Sequence, residues 1–175
     1  MPETPVVVPF TDDDVEPIAA AFTALGWPGK TPKLYHRYLA EQRSGSRSAL
    51  VVRLGRELAG YVTVMWLSDY RPFRDAGIPE IADLNVLPRL RRRGAGSALM
   101  DAAETLIAAR GDTAGLGVGL YADYAAALRI YLRRGYLPDG RGVAYDYVPV
   151  PPGKRVRVDD SLTLMMTRRL AASSV

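Results

Sequence analysis

The sequence predicts a mixed α/β protein with one sheet of six or seven strands and helices on both of its faces. Two observations indicate this fold class. Short segments of alternating apolar residues, typical of strands, are interspersed with segments in which apolar residues recur at three- and four-residue spacing, as in amphipathic helices. The chain has 175 residues and no internal repeat or linker, so we predict a single domain over residues 1–175.

Composition limits the chemistry that the protein can perform. The absence of cysteine excludes disulfides, thiolate nucleophiles and cysteine-ligated metals. The net charge of +4 suits an acidic cofactor or substrate but is too small to indicate nucleic acid by itself. The first ten residues lack the pattern of a secretory signal, and no apolar run has the length of a membrane span. We therefore expect a cytoplasmic protein with no membrane partner.

The first third of the chain is predicted to contain a strand and two helices. The β-branched run of residues 5–10 is typical of a strand, and Thr11 precedes three aspartates as a helix N-cap precedes an acidic first turn. That helix should continue to about Leu25, because residues 26–29 contain two glycines and a proline. A second helix is predicted from Thr31, since proline at the next position loses no helical hydrogen bond.

A hairpin and a loop follow. Residues 48–54 and 57–67 have the composition of strands, and the tight turn at Gly55 and Arg56 joins them into a predicted hairpin. Residues 68–79 carry prolines, charges and aromatic side chains without a clear period, so we predict a loop there.

The central segment, residues 80–109, is predicted as a strand, a proline bend, an arginine-rich loop and an amphipathic helix. Gly94 and Gly96 lie where the helix begins, so the backbone can approach a ligand closely and unpaired N–H groups point outward. Together with the helix dipole these groups form an anion site, and the arginines of residues 89–93 attract a polyanion. The segment therefore predicts phosphate binding. The helix should bury Leu99, Ala103, Leu106 and Ile107 and expose Asp101 and Glu104.

The last third is predicted to contain three strands and one helix. Residues 116–121, 143–147 and 162–166 are typical of strands, and residues 124–134 of a helix that ends at a glycine. The proline-rich connection of residues 149–158 is longer than a hairpin requires. Such a connection is typical of a binding loop or of a contact in a homodimer.

The arginine-rich loop with its two glycines, residues 89–97, is called the anion loop, and its details distinguish among phosphate-binding families. A P-loop requires lysine, which this stretch lacks, and a dinucleotide fingerprint requires glycine or alanine where Leu99 lies. The remaining pattern, Arg91-x-x-Gly94-x-Gly96 after a strand and a proline, resembles the acyl-CoA-binding motif of the GNAT superfamily of N-acetyltransferases. The resemblance implies the GNAT fold, with a mostly antiparallel sheet that splays between its two central strands.

A second segment extends the resemblance. Residues 124–136 are similar to the family pattern Asn-x-x-Ala-x-x-Leu-Tyr-x-x-x-Gly-Phe, and the residues that match it in register are Ala127, Ile130, Tyr131, Gly135 and Tyr136. The Asn position of the pattern is occupied by Tyr124. The resemblance covers most of the chain, and implies that acetyl-CoA lies along the central strand and that the loop amides wrap its pyrophosphate. The glycines at positions 115, 117 and 119 are interpreted as allowing close approach of the backbone beside the cofactor. The implied cofactor-binding residues are Leu84, Asn85, Val86, Arg91, Arg92, Arg93, Gly94, Ala95, Gly96, Ser97 and Tyr124.

The resemblance also implies the catalytic groups. Tyr131 would protonate the leaving thiolate, a role that suits a phenol because its ordinary pKa near ~10 lies above that of a thiol. The base that deprotonates the acceptor ammonium is expected on a central strand, where Glu80 and Asp83 are the candidates. Strand alternation places these two on opposite faces, and a bulge would change that parity. For each carboxylate, a structural ion pair with a nearby arginine is an equally good explanation.

The predicted function is transfer of an acetyl group from acetyl-CoA to a primary amine of a small-molecule or peptide acceptor. No metal is expected, since His36 lies on a helix without a second ligand in its sequence neighbourhood. Two rival functions remain open at this point. One is a GNAT-fold sensor that binds acyl-CoA without turnover, and the other is a nucleic-acid-binding module based on the arginine cluster, which lacks interleaved aromatic residues.

Overall fold

The computed structural model describes residues 3–171, which form a mixed α/β fold with eight strands and five α-helices. The strands are β1 (Pro5–Pro9), β2 (Arg47–Leu54), β3 (Glu57–Met65), β4 (Glu80–Val86), β5 (Thr113–Gly119), β6 (Leu137–Tyr145), β7 (Val148–Pro149) and β8 (Leu162–Arg169). The α-helices are α1 (Val15–Thr23), α2 (Pro32–Ser44), α3 (Arg71–Ala76), α4 (Ala95–Ala108) and α5 (Ala125–Arg133). The predicted fold class is confirmed.

The eight strands belong to one sheet with the order β1-β2-β3-β4-β5-β8-β6-β7. The β4 strand pairs in parallel with β5, through Glu80 with Gly115 and Ile81 with Leu116. The ladders β1–β2, β2–β3, β5–β8, β6–β8 and β6–β7 are antiparallel. The prediction of six or seven strands was too low, because the two-residue strand β7 is too short to leave a periodic signal.

The chain forms two compact units. The first runs from the N-terminus to Trp66 and resumes over residues 82–106; the second comprises residues 67–81 and everything from Ile107 onward. The β4 strand contributes its first two residues to the second unit and the remainder to the first. The anion-loop segment therefore belongs to the first unit and α5 to the second.

The core of the first unit is an aromatic group centred on Tyr61 of β3. The ring of Tyr35, from α2, meets that of Tyr61 edge-on with centroids 5.3 Å apart, and Phe22, from α1, does so at 5.6 Å. Phe10 stacks on Tyr35 at 5.8 Å. Such pairs hold ring orientation more firmly than aliphatic contacts, so the hydroxyl of Tyr61 is directed by the packing of both helices.

The predicted start of the first helix is confirmed. The backbone N–H of Thr11 donates to the Asp14 carboxylate at 2.9 Å, and the Asp14 N–H donates back to the Thr11 carbonyl at 3.1 Å. The first turn, Asp12–Asp14, is a 3-10 turn, and α1 proper ends at Thr23 rather than Leu25. Short turns of this kind are common at helix N-termini.

Three predicted elements differ from the structure. The predicted loop of residues 68–79 contains the six-residue helix α3, which begins at a proline-bearing turn and ends at Gly77 with φ 66°. The predicted strand at residues 143–147 ends at Tyr145, because Asp146 and Tyr147 adopt positive φ and form a turn. In α4, Glu104 is only 9% exposed although it was predicted to face solvent. The buried stripe of α4 is rotated toward this position, since Met100, one turn earlier, is fully buried.

The three β5 glycines pack against side chains of the protein itself. A Cβ at Gly115 would lie 2.4 Å from the Phe73 ring, and one at Gly119 would lie 2.3 Å from the Tyr124 ring. At Gly117, the sulfur of Met165 would be 2.9 Å away. Protein side chains therefore occupy the space beside the three glycines, and the interpretation that they allow close approach of the backbone beside the cofactor stays a prediction.

We predict that Gly60→Ala strongly destabilises the first unit. A Cβ at Gly60 would lie 2.2 Å from the backbone oxygen of Asn85 and 2.9 Å from the Cα of Val86, and neither backbone atom can yield as a flexible side chain would. Overpacking of this kind costs about 1–3 kcal/mol or more. Urea unfolding should show the loss, whereas the control Gly111→Ala, where a Cβ meets nothing within 4 Å, should change stability by less than about 0.5 kcal/mol. Equal effects of the two variants would contradict this close approach of β3 and β4.

Candidate active site

Four hydrogen-bond donors converge on the carboxylate of Asp83 in the first unit. Its Oδ1 atom accepts from Lys30 Nζ at 2.5 Å and from Asn85 Nδ2 at 2.6 Å. Its Oδ2 atom accepts from the hydroxyls of Tyr61 at 2.7 Å and Tyr38 at 2.9 Å. An ionised carboxylate offers about four lone-pair directions, so two donors on each oxygen occupy all of them.

The backbone of Asp83 is also unusual, since its φ is 55° within a strand. Aspartate tolerates this left-handed region better than most residues, yet the conformation still costs about 1 kcal/mol. The regular alternation predicted for this strand therefore does not continue through Asp83. The turn in the backbone directs the side chain toward Tyr38 and Tyr61, and these contacts offset the strain.

The electrostatics of Asp83 favour its charged form. Burial acts to raise the pKa of the carboxyl, but the Lys30 charge and the hydrogen bonds from Lys30, Tyr61 and Tyr38 outweigh it, so the pKa lies below its usual 3.8. Conversely, burial and the nearby Asp83 charge raise the pKa of the Tyr38 and Tyr61 phenols. Asp83 is thus an ionised acceptor at neutral pH, and the phenols of Tyr38 and Tyr61 beside it stay protonated.

Lys30 was not identified by the sequence analysis. Its ammonium contacts the Tyr61 hydroxyl at 2.8 Å and lies 5.5 Å from the centre of the Tyr61 ring, and its side chain is 17% exposed. The expected arginine partner of Asp83 is therefore wrong, because the ion pair is with this lysine. No local signal could have indicated it, since 53 positions separate the two residues.

The arginine-rich loop forms a tight backbone turn before α4. Arg92 and Gly94 have φ of 61° and 82°, and the first helical hydrogen bond runs from the Ala98 N–H to the Gly94 carbonyl at 3.0 Å. The N–H groups of Ala95, Gly96 and Ser97 precede that bond, so they belong to the unpaired first turn of the helix. A Cβ at Gly96 would meet its nearest neighbour, Val86 Cγ2, at 3.8 Å, and its φ is not positive. Neither the packing nor the backbone of the protein therefore requires glycine at position 96.

Three arginine side chains of the loop contact other parts of the protein. Arg91 Nε donates to the Val86 carbonyl at 3.1 Å, which connects the loop to the end of β4. Arg93 pairs with Glu3 at 3.2 Å, and Arg89 pairs with Glu57. These pairs are exposed and contribute little to stability. They partly neutralise the arginine charges, which leaves the backbone amides as the better-defined anion site of the loop.

Glu80 lies in the second unit and is 3% exposed. Its Oε2 atom accepts from the Ser68 hydroxyl at 2.5 Å, and its Oε1 atom accepts from the Tyr147 hydroxyl at 3.0 Å. Ser68 in turn accepts the Tyr70 N–H at 3.0 Å. Glu80 is thus bonded to two hydroxyls, neither of which the sequence analysis associated with it.

Tyr131 and Tyr124 are also in the second unit. Tyr131, on α5, is 7% exposed and meets the ring of Tyr136 at 6.0 Å, and burial raises the pKa of its phenol to about 12. Tyr124 packs over Gly119 and donates its hydroxyl to Asp160 at 2.8 Å. Burial, followed by the bond to Asp160, raises the pKa of the Tyr124 phenol. Both phenols therefore remain protonated at neutral pH.

The candidate residues divide between the two units. The first unit contains residues 83–86 and 91–97, and within it Asn85 contacts Asp83 directly. Glu80, Tyr124 and Tyr131 belong to the second. Within residues 3–171, no group of three or more histidine, cysteine or acidic side chains is placed to hold a metal ion. In the same range, every helix is too short or too polar to cross a membrane.

Most of the chain is similar to a known protein family. Residues 13–136 match the family model described as the Acetyltransferase (GNAT) family. No curated protein sequence matches the chain. The matched family segment includes β2 to α5 and therefore the anion loop, both carboxylates, Tyr124 and Tyr131.

Solved structures share the fold. Ard1 from Thermoplasma volcanium has 23% sequence identity and a TM-score of 0.69, covering 95% of this chain and 98% of its own. The PaiA N-acetyltransferase from Thermoplasma acidophilum, in complex with coenzyme A, has 12% identity and a TM-score of 0.65, with coverage of 95% and 99%. A spermidine N-acetyltransferase chimera from Vibrio cholerae and hSSAT has 14% identity and a TM-score of 0.66, with coverage of 94% and 95%. At these identities the likeness establishes the fold alone.

We predict strong coupling between Lys30 and Asp83. Asp83→Asn leaves the Lys30 ammonium without a counter-charge, which should lower the free energy of unfolding by about 3 kcal/mol. A double-mutant cycle with Lys30→Met, measured by urea unfolding, should give a coupling energy of about 1–3 kcal/mol. Additive single effects would contradict a coupled cluster.

The same cluster predicts a dependence on pH. Because the folded-state pKa of Asp83 is lowered, its stabilising contribution is fully present above the usual 3.8 and is lost as the pH falls through the lower folded value. The stability difference between the native protein and Asp83→Asn should therefore be constant near neutrality and shrink below pH 3.8. A stability difference between the two proteins that increased as the pH fell would contradict a lowered pKa of Asp83 in the folded state.

Proposed function

Because this chain belongs to the GNAT family of acetyltransferases, we propose that it transfers an acetyl group from acetyl-CoA to a primary amine of an acceptor molecule. The observation that carries the proposal is the turn from β4 into α4, where Gly94 has φ 82° and the amides of Ala95, Gly96 and Ser97 precede the first helical bond. A helix N-terminus reached through such a turn suits a pyrophosphate. The family segment extends across both compact units, and we propose that they act as one acetyltransferase domain.

The cofactor would be held mainly by backbone groups. The room beside Gly96, where a Cβ would be 3.8 Å from Val86, fits a backbone that a phosphate approaches closely. The main chain of Leu84, Asn85 and Val86 would hold the pantetheine arm, and the amides of residues 91–97 would hold the pyrophosphate. Tyr124 would contribute its ring rather than its hydroxyl, because that hydroxyl already donates to Asp160.

The two candidate bases are not equivalent. Asp83 accepts four hydrogen bonds and pairs with Lys30, and its lowered pKa makes it a weak base. Glu80 accepts hydrogen bonds from the hydroxyls of Ser68 and Tyr147, and both hydroxyls can exchange protons. We therefore assign Glu80 the role of general base and Asp83 the role of positioning β4.

The residues of the chain would then divide the proton transfers. Acetyl-CoA supplies an activated thioester, whose acyl carbon forms a bond to the acceptor nitrogen as its bond to sulfur breaks. Glu80 takes a proton from the acceptor ammonium so that the nitrogen can attack. Tyr131, protonated because burial raises its pKa to about 12, gives a proton to the departing sulfur, and the second proton lost by the acceptor nitrogen restores the phenol. The products are an N-acetylated acceptor and CoA.

The direct test is thiol release from acetyl-CoA in the presence of a panel of primary amines that includes polyamines, amino acids, aminoglycosides and N-terminal peptides. We expect release above the hydrolysis background for at least one acceptor, with mass spectrometry showing an acetyl group on its nitrogen. Tight acetyl-CoA binding without transfer to any acceptor would contradict the enzymatic proposal.

We predict that Gly96→Val weakens acetyl-CoA binding by tenfold or more, because the added side chain occupies the space beside the helix N-terminus. The fold should be retained, since the protein itself leaves room at this position and a β-branched residue costs a helix less than about 1 kcal/mol. Isothermal titration with acetyl-CoA measures the affinity. Gly111→Val is the matched control, because a Cβ there meets nothing within 4 Å. Unchanged affinity in Gly96→Val would place the pyrophosphate elsewhere.

We predict that Tyr131→Phe lowers kcat by ~10²–10⁴-fold, the usual contribution of a general acid, with little change in acetyl-CoA affinity. The ring that packs near Tyr136 is retained, so the melting temperature should be nearly native. Because the raised pKa of about 12 keeps the native phenol protonated, the native rate should not fall through Tyr131 ionisation below about pH 10. Steady-state kinetics with any accepted amine measures both, and a native kcat would assign Tyr131 to packing alone.

A further inference from the structure

The turn between β6 and β7 contains two consecutive residues in the left-handed region of backbone conformation. Asp146 and Tyr147 have φ of 47° and 64°, and the flanking residues Tyr145 and Val148 pair across the hairpin. Two-residue hairpin turns of this kind are usually built from Asn-Gly, because glycine has no Cβ to clash. A tyrosine at the second position is strained, and such strain persists only where other contacts hold it.

The contact that holds Tyr147 is with Glu80. The Tyr147 hydroxyl donates to Glu80 Oε1 at 3.0 Å, and its ring packs against the buried cluster that includes Tyr70 and Phe73. Both residues belong to the second unit. The unfavourable backbone of the turn therefore directs a phenol onto the carboxylate that we propose as the base.

Access to Glu80 distinguishes its two hydroxyl partners. Glu80 itself is 3% exposed, and Ser68, whose hydroxyl bonds Oε2, is completely buried. Tyr147 is half-buried, so its hydroxyl group belongs to a side chain that reaches the surface. Of these two partners, Tyr147 is therefore the one whose side chain lies between Glu80 and the protein surface.

We propose that Tyr147 is a catalytic proton relay to Glu80, an inference that rests on the acetyltransferase function proposed above. The acceptor ammonium gives its proton to the Tyr147 oxygen while the Tyr147 hydroxyl proton moves to Glu80 Oε1. The acceptor nitrogen is then neutral and can attack, the carboxylate has become a carboxylic acid, and the phenol is unchanged. The proton returns to solvent by the reverse path after turnover.

Other ionisable groups surround this pair. Tyr70, next to Phe73 in the cluster, donates its hydroxyl to Asp139 on β6 at 2.8 Å, and burial raises the pKa of its phenol to about 12. Arg74, on α3, donates to the Ser68 carbonyl at 2.9 Å. Tyr70 thus donates to Asp139, and Arg74 contacts the Ser68 carbonyl and the Asp69 carboxylate, whereas Tyr147 donates to Glu80 itself.

The test compares Tyr147→Phe with Tyr145→Phe in the same hairpin. Tyr147→Phe should lower kcat by ~10–100-fold and move the acidic limb of the pH–rate profile to higher pH, because a carboxylate that loses a donor holds its proton more tightly. Tyr145 donates to Asp159 at 2.9 Å instead, so its Phe variant should keep the native rate and profile. A native profile and kcat in a folded Tyr147→Phe variant would overturn the relay.

Ser68→Ala separates a relay from a simple hydrogen bond. This variant also removes a donor from Glu80, so its acidic limb should move in the same direction, but the path through Tyr147 remains and kcat should fall less than in Tyr147→Phe. Equal losses of kcat in the two variants would overturn the relay, since Tyr147 would then act only as a donor. If the native protein transfers no acetyl group to any acceptor, the proposed function itself is wrong. If the native protein is active and the Tyr147→Phe variant is equally active, only the relay is wrong.

Discussion

The carboxylate of Asp83 is the interaction on which the first unit depends. Its two oxygens accept four hydrogen bonds, from Lys30 ahead of α2, Tyr38 on α2, Tyr61 on β3 and Asn85 on β4. Lys30, Tyr38 and Tyr61 are distant from Asp83 in sequence, and the packing of aromatic rings around Tyr61 directs its hydroxyl. A buried charge is tolerable only when it is paired and fully bonded, so the position of each of these elements is linked to the others.

This arrangement separates the roles of two carboxylates that are three positions apart in one strand. Asp83 has a cationic partner and a saturated set of donors, which lowers its pKa and makes it suited to holding backbone in place. Glu80 accepts from the hydroxyls of Ser68 and Tyr147, which can exchange protons. Residue type and spacing alone make the two equivalent, and their surroundings make them chemically different.

Glycine has two distinct uses around the sheet. Gly94 provides the left-handed turn that leads into α4, and Gly96 leaves room that the protein does not fill. By contrast, the rings of Phe73 and Tyr124 occupy the space beside Gly115 and Gly119 on β5. A sequence shows only that a side chain is missing. Whether the space admits a ligand or a neighbouring side chain depends on which residues the fold brings beside it.

The sequence by itself determined the features that depend on local chemistry. The Thr11–Asp14 cap, the β2–β3 hairpin and the strand–turn–helix of residues 80–109 were predicted because periodicity, capping and turn residues act over a few positions. Tertiary structure alone decided the partners of the two carboxylates, since Lys30 lies 53 positions from Asp83 and Tyr147 lies 67 positions from Glu80. It also decided that Asp146 and Tyr147 would turn rather than continue a strand. Such pairings have no sequence period, because they arise from long-range packing that satisfies buried polar groups.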